Sequence, residues 1–312
     1  MKLLTLILLV MPFLLEASEY AKSTVEMKLQ RVSEHVYYVQ GISGIATDNE
    51  GFISNATAVV TDEGLVIVDA LGSPSLAAQF LALLREVTDK PVAKLIVTHY
   101  HADHIYGIQL FKEHGAEVIA PAGYQEYLDS PIAEERLEER RLSLSPWVND
   151  ETHLVRPDHV VEADEDFSFG GIDFSIHLHG AAHSDGDLSL LVKNDAVLIS
   201  GDIIFEGRVP FTGGSDTAHW LKVLKNLDTI DLKGLIPGHG PAATNPNEAI
   251  KLTLGYLSHL RDVMSIAVEE MIPFKESFEG GDWSEFAHLP AFEAAHRRNA
   301  YGVYLSLEAA QF

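Results

Sequence analysis

Three imidazoles and a carboxylate fall within six residues at His99, His101, Asp103 and His104. They follow the continuous apolar run Leu95–Val97, which has the character of a buried strand. On an extended backbone, residues i and i+2 point to the same side, so His99 and His101 can chelate one ion together. Asp103 and His104 come as the chain turns toward a helix expected over 105–114. Their side chains therefore diverge from the first pair and can reach a second ion close by. Imidazole and carboxylate ligands suit zinc, and the lack of thiolate argues against copper(I) or an iron–sulfur cluster. The competing reading is a polar surface loop.

The pattern His99-x-His101-x-Asp103-His104 resembles the signature of the metallo-β-lactamase fold superfamily. That resemblance demands more of the chain. It calls for a histidine in a glycine-rich turn, matched by His183 in the stretch 180–187; for an acidic residue after the next apolar strand, matched by Asp202; and for a final histidine after another, matched by His239. The likeness extends over about residues 30–245. It implies a four-layer αββα sandwich, an α/β fold of the layered α+β kind, in which His99, His101 and His183 hold one zinc ion. Asp103, His104 and His239 would hold a second, with Asp202 bridging the two. A metal-bridging hydroxide would then attack a carbonyl, Asp103 orienting it.

The resemblance also bears on substrate. At position 101 the redox di-iron flavoproteins of this fold carry glutamate, whereas this chain has His101, and no flavodoxin-like segment follows. Where β-lactamases carry cysteine or serine the chain has Asp202, as do thioesterases, lactonases and phosphodiesterases of the fold. Ester, thioester or lactone hydrolysis is the expectation, with β-lactam hydrolysis as one alternative and a non-catalytic zinc-binding accessory protein as another. A structural zinc site is closed by four protein ligands, while a catalytic one keeps a place for solvent. Seven ligands, one of them shared, leave such a place. Tyr100 and Tyr106 are candidate donors to a developing oxyanion, with core packing as the alternative. Arg208, the lone cation of the loop Phe205–Ser215, is a candidate substrate contact. His177 and His179 also form a His-x-His pair but are surplus to the ligand set. His219 and Trp220 are candidates for a pocket wall.

The elements that must position these residues are legible from periodicity. Strands are expected at 34–40, 56–60 and 64–69; Asp69, at the end of the last, matches a position that the resemblance implies orients ligands from behind, with service at a helix N-terminus as the alternative. Ser73-Pro74 opens a helix over 73–87 as N-cap and first helical residue. Further expectations are a strand at 117–120, a helix over 123–142, a hairpin over 165–179 turned at Gly170-Gly171, strands at 188–192 and 197–200, and a helix at 217–227. The run Glu134–Arg141 reads as a solvated helical face with i,i+4 pairs. Residues 246–312 read as a helical extension packed on the domain at 25–245, with helices at 248–271 and 291–307. The stretches 296–308 and 208–214 resemble SoxH-type exported metallohydrolases near sulfur-oxidation and quinoprotein systems.

Met1-Lys2 and the apolar run Leu3–Leu15 have the layout of a secretory leader, residues 1–18, too short for a comfortable membrane span. Cleavage near Ala17 or Ser18 and export to a bacterial periplasm are expected, with retention as an anchor the alternative. The absence of cysteine excludes disulfides and thiol chemistry. A net charge of −24, from 46 acidic against 22 basic residues, would repel a polyanion and so argues against nucleic acid. The expected partner is a small-molecule substrate.

Overall fold

Side chains on a strand alternate between two faces, and in this chain both faces of two sheets are buried. The computed structural model describes residues 20–227 and 231–311; the expected leader, 1–18, lies outside them. One sheet has seven strands in sequence order: β1 (Leu29–Arg31), β2 (Val36–Val39), β3 (Ala56–Val60), β4 (Leu65–Val68), β5 (Val92–Ile96), β6 (Glu117–Pro121) and β7 (His159–Val161). It is antiparallel from β1 to β4 and parallel from β4 to β7. The other sheet holds β8 (Glu165–Phe169), β9 (Ile172–Gly180), β10 (Asp187–Val192), β11 (Val197–Phe205) and β12 (Gly234–His239). In it only the β11–β12 pair is parallel.

The helices are α1 (Pro74–Arg85), α2 (Ala102–Ile105), α3 (Ile108–Glu113), α4 (Ala122–Leu128), α5 (Pro131–Ser143), α6 (Thr217–Leu227), α7 (Pro246–Glu269), α8 (Phe274–Gly280) and α9 (Phe292–Ala309). Three cores define the layers. Val66 and Val68 of β4 meet Phe174, Ile176, Leu190 and Ile199 between the sheets. Leu65 and Ile67, one residue out of phase, pack with Leu76, Phe80 and Leu84 of α1 and Phe111 of α3. Leu198 and Ile203 of β11 pack with Trp220, Leu224, Leu257 and Val303 of α6, α7 and α9. The result is the expected α/β/β/α layering. Burying one such side chain contributes about 1.5–3 kcal/mol, so a one-residue slip that exchanged the two faces would be heavily penalised.

Some boundaries differ from expectation, for physical reasons. The helix expected over 105–114 is two short ones, α2 and α3, with Gly107 between them. A Cβ at Gly107 would lie 2.0 Å from the carbonyl oxygen of Ala70, so strand-end backbone passes too close for a side chain. The helix expected over 123–142 breaks before Pro131, which cannot continue a helix but starts α5 well. Strands β1 and β7 have three residues each, and α8 buries none of its residues, so none of the three carries a clear hydrophobic period. Ser73 caps α1 as expected, its side chain accepting from the Leu76 N–H at 3.2 Å. No described helix is long and apolar enough to cross a membrane.

The C-terminal helices are locked by a buried polar cluster. The Tyr256 hydroxyl meets Nδ1 of His296 at 3.0 Å and accepts from Asn299 Nδ2 at 3.0 Å. Burial pushes the His296 imidazole down to about 4 from 6.5. Between those values the unfolded chain binds the proton and the folded chain does not, so stability from this site is present above pH 6.5 and is lost as pH falls toward 4. In His296→Gln, the decline in urea midpoint between about pH 7.5 and 5 should be shallower than in wild type. An unchanged decline would show that His296 does not set the acid response.

A candidate metal centre at the strand ends

The seven sequence-predicted ligands converge from five segments. Donor atoms of His99, His101, His183 and Asp202 lie within 4.8 Å of one another, and those of Asp103, His104 and His239 form a second such group. His99 and His101 follow β5, Asp103 and His104 lie on α2, His183 sits in the β9–β10 turn, and His239 ends β12. Asp202 belongs to β11 itself, which runs on beyond the expected end at Ser200. Gly201 takes φ +52° and the register with β12 shifts around it, a local irregularity of the kind that re-aims the next side chain.

The Asp202 carboxylate lies between the groups. Its Oδ2 is 3.3 Å from His183 Nε2 and 3.2 Å from His239 Nε2, and its Oδ1 is 3.3 Å from His104 Nε2. Asp103 Oδ2 stands 3.3 Å from His239 Nε2 and 3.5 Å from His104 Nε2. His183 Nε2 is 2.9 Å from His101 Nδ1. The approach is so close that Gly238 has no room for a side chain: a Cβ there would lie 1.8 Å from Asp202 Oδ1.

The far ring nitrogens are held by the protein. His104 Nδ1 donates to Asp69 Oδ2 at 2.8 Å, and His239 Nδ1 donates to the carbonyl of Ile53 at 2.7 Å. His99 Nδ1 lies 3.0 Å from Thr98 Oγ1, which donates to Asp69 Oδ2 at 2.8 Å. One carboxylate thus orients a histidine in each group, and each Nε2 lone pair is left facing the centre. Of the two roles weighed for Asp69, the ligand-orienting one is the geometry observed. Asp69→Asn is expected to weaken metal affinity about 10–100-fold with little change in fold, read by chelator competition. Unchanged affinity would show that this carboxylate orients nothing.

A cation fits these residues on two observations. His99 Nε2, His104 Nε2 and Asp202 Oδ1 are buried without a hydrogen-bond partner among the described residues, a costly arrangement unless something binds there. Electrostatics agree. Burial pushes His99 well below 6.5, lowers His101 and takes His183 down to about 3, so these rings present neutral lone pairs. Burial acts the same way on His104 and His239 but is outweighed by Asp103 and Asp202, which raise both. Burial would raise Asp103 and Asp202 in turn, yet His104 and His239 hold both carboxyls below their usual range. A buried carboxylate, Asp202, and a half-buried one, Asp103, therefore demand positive charge at this point, supplied by protons or by a metal.

The centre opens into a cleft of about 830 Å³. Arg208 lines it, its guanidinium 5.9 Å from the Phe205 ring centre and its Nε buried without a partner among the described residues. Tyr100 lines it too, but its hydroxyl donates to Asp185 at 3.1 Å and its ring stacks on Tyr127 at 4.6 Å. Burial, then Asp185, pushes the Tyr100 hydroxyl up to about 12. Tyr106 is buried in the helix-side core. His219 and Trp220 are not cleft walls: His219 Nε2 meets the His179 carbonyl, and Trp220 packs behind His183 with its N–H on the Ile203 carbonyl.

His177 and His179 stand apart from both ligand groups, His179 held by Ser189 and His177 lying 3.7 Å from Asp164. His177→Ala should leave metal content unchanged; a lost ion would mean that a ligand lies elsewhere. Sequence reasoning missed the cleft arginines of α5. Arg136 and Arg140 face the cleft, whereas Arg141, largely buried, pairs with Glu138 and Glu134 and donates to the carbonyls of Asn149 and Thr152; the pairs of this run are not at the expected i,i+4 spacing. A charge run carries no label for which of its members will face a neighbouring element.

Comparison with known proteins matches the geometry. The model of the metallo-beta-lactamase superfamily matches residues 49–239. The linear primary-alkylsulfatase of a Pseudomonas species is 21% identical over 237 residues, 64% of this chain and 44% of that protein. This chain thus spans less than half of that relative. A solved sec-alkylsulfatase from Pseudomonas shares the fold at TM-score 0.67 and 18% identity, over 90% of this chain and 50% of that one. A solved metallo-beta-lactamase from Pontibacter korlensis does so at TM-score 0.58 and 18% identity, over 75% of this chain and 99% of that one.

Proposed function

The chain belongs to the metallo-beta-lactamase superfamily, and from that premise we propose that it is a metal-dependent hydrolase that uses two zinc ions to cleave an ester, thioester or lactone. The observation that carries this reading is the pair of ligand groups joined through Asp202 at the floor of an open cleft. His99, His101 and His183 would hold one ion and Asp103, His104 and His239 the other, with Asp202 placed between the two groups to be shared by both. Zinc bound there supplies Lewis acidity and lowers the pKa of water to about 7.

The remaining roles belong to the chain. Asp103 lies against His104 and His239 at the cleft floor, placed to orient the attacking water. Arg208 is held near the charges of Asp202 and Asp103, and burial lowers its pKa from the usual value without discharging it. Its unpaired Nε points to recognition of substrate oxygen, by a charge-assisted hydrogen bond. Tyr100 closes one wall and, with its proton committed to Asp185, orients substrate by its ring face.

A second reading is sulfate-ester hydrolysis. It is favoured by the sec-alkylsulfatase match, which spans 90% of this chain against 75% for the Pontibacter protein, and by an arginine beside the centre. Initial rates of zinc-loaded protein against an acyl thioester, a lactone, an alkyl sulfate, a phosphodiester and a chromogenic cephalosporin separate the readings. Preference for thioester or lactone supports the first, preference for alkyl sulfate the second. Preference for the cephalosporin makes the chain a lactamase, and silence on all five with two zinc ions bound overturns the hydrolytic reading of this site.

A further inference from the structure

The chain carries a net charge of −24, yet four of its ten arginines line this one cleft, and among the described residues no lysine does. Arg208 lies beside the ligand groups. The other three come from two helices, Arg136 and Arg140 from α5 and Arg298 from α9. Arg136 and Arg140 are spaced i,i+4, so their guanidinium groups share a face and repel each other. Arg136 has only Glu139, at 3.5 Å, and neither Arg140 nor Arg298 makes an ion pair among the described residues. With 46 acidic residues available, these cations are nonetheless left facing the cleft.

Arg298 is placed there deliberately by its helix. The preceding Arg297 packs over Phe274 and Phe278, 5.5 and 5.1 Å from the ring centres. One residue on, the helix turns Arg298 toward the cleft. The next residue, Asn299, donates to the Pro210 carbonyl at 2.7 Å and accepts from the Thr212 N–H at 3.1 Å. The Val209 N–H bonds the Pro290 carbonyl at 3.0 Å. The C-terminal helix and the loop carrying Arg208 are thus one braced unit. Arginine, unlike lysine, offers a planar fork that matches an oxyanion with two hydrogen bonds. Ile45, Ile132, Tyr127 and Phe211 add apolar and aromatic wall to the same cleft.

We propose that Arg136, Arg140 and Arg298 form an anion-recognition rim in the outer cleft, so that the substrate is an organic anion with an apolar body and a terminal carboxylate or sulfate remote from the bond that breaks. This rests on the reading of the cleft as the hydrolytic site. The cleft then concentrates an anion that the rest of the surface repels.

Binding without turnover tests the rim separately from the chemistry. Calorimetry on the zinc-loaded protein would compare suberate, with a carboxylate at each end, against octanoate, with one. Suberate should bind about tenfold tighter at low salt, the effect of one added charge-assisted hydrogen bond, and the gap should shrink as salt is raised. In R298Q, and in R136Q/R140Q with metal content at the wild-type level, the gap should fall below about threefold. Equal affinity of the two acids, or a gap that survives both variants, overturns the rim. If no ester is hydrolysed but the gap is present and lost in the variants, the hydrolytic reading fails and the anion site stands.

Discussion

On the proposal of two zinc ions, Asp202→Ala is expected to weaken binding of both and to reduce turnover by more than about 100-fold, beyond the effect typical of a residue that only orients a ligand. The reason is geometric. Asp202 is the carboxylate whose two oxygens meet both ligand groups, at 3.3 Å from His183 and 3.3 Å from His104. Without it the two groups share no anion, and the positive charge gathered there loses a buried counter-charge. Elemental analysis after dialysis, together with rates on the preferred substrate, checks this. Two zinc ions and a near-normal rate in the variant would show that the bridging assignment is wrong.

Gly238→Ala is expected to damage the same site while leaving every ligand in the sequence. A methyl group at this position would lie 1.8 Å from Asp202 Oδ1, 2.8 Å from the Gly201 carbonyl carbon and 2.9 Å from the Asp202 nitrogen. Two of those atoms are backbone within neighbouring strands, so relief requires β11 and β12 to part or the carboxylate to swing away. Overpacking of this kind costs about 1–3 kcal/mol of stability. The displaced carboxylate should lower metal content as well. Melting temperature and zinc content measured together read both effects, and wild-type values for each would mean that the strands yield at Gly238.

Much of the site was legible because its signals are local. His99 and His101 were read as one pair from the period of a strand, although β5 ends at Ile96 and the segment after it carries them; Asp103 and His104 diverge because a helix begins at Ala102. His183, Asp202 and His239 were found through a resemblance in their order and spacing. The sheet strands were legible where apolar runs were long, as at Leu65–Val68, and not where three residues formed an edge, as at Leu29–Arg31. Asp69 was ambiguous because one carboxylate at a strand end serves a ligand or a helix equally well. Only the contact with His104, 35 residues away, decides which.

Apart from the ligands, only Tyr100 and Arg208 of the cleft were singled out, and its outer arginines were not legible. Arg136, Arg140 and Arg298 are separated by up to 162 positions in sequence, and nothing in a charge run tells which members will face a neighbour. Gly238 reads as an ordinary glycine until β12 is laid against Asp202. Residue chemistry and periodicity, which are local properties, thus carried the candidate ligand types, their order near the strand ends and the alternation that makes four layers. The tertiary structure decided how Asp202 lies between the two groups, which residues hold the ligands from behind, and which cations line the cleft. Those depend on how two sheets and their helices pack, and packing joins residues whose separation along the chain carries no signal of their meeting.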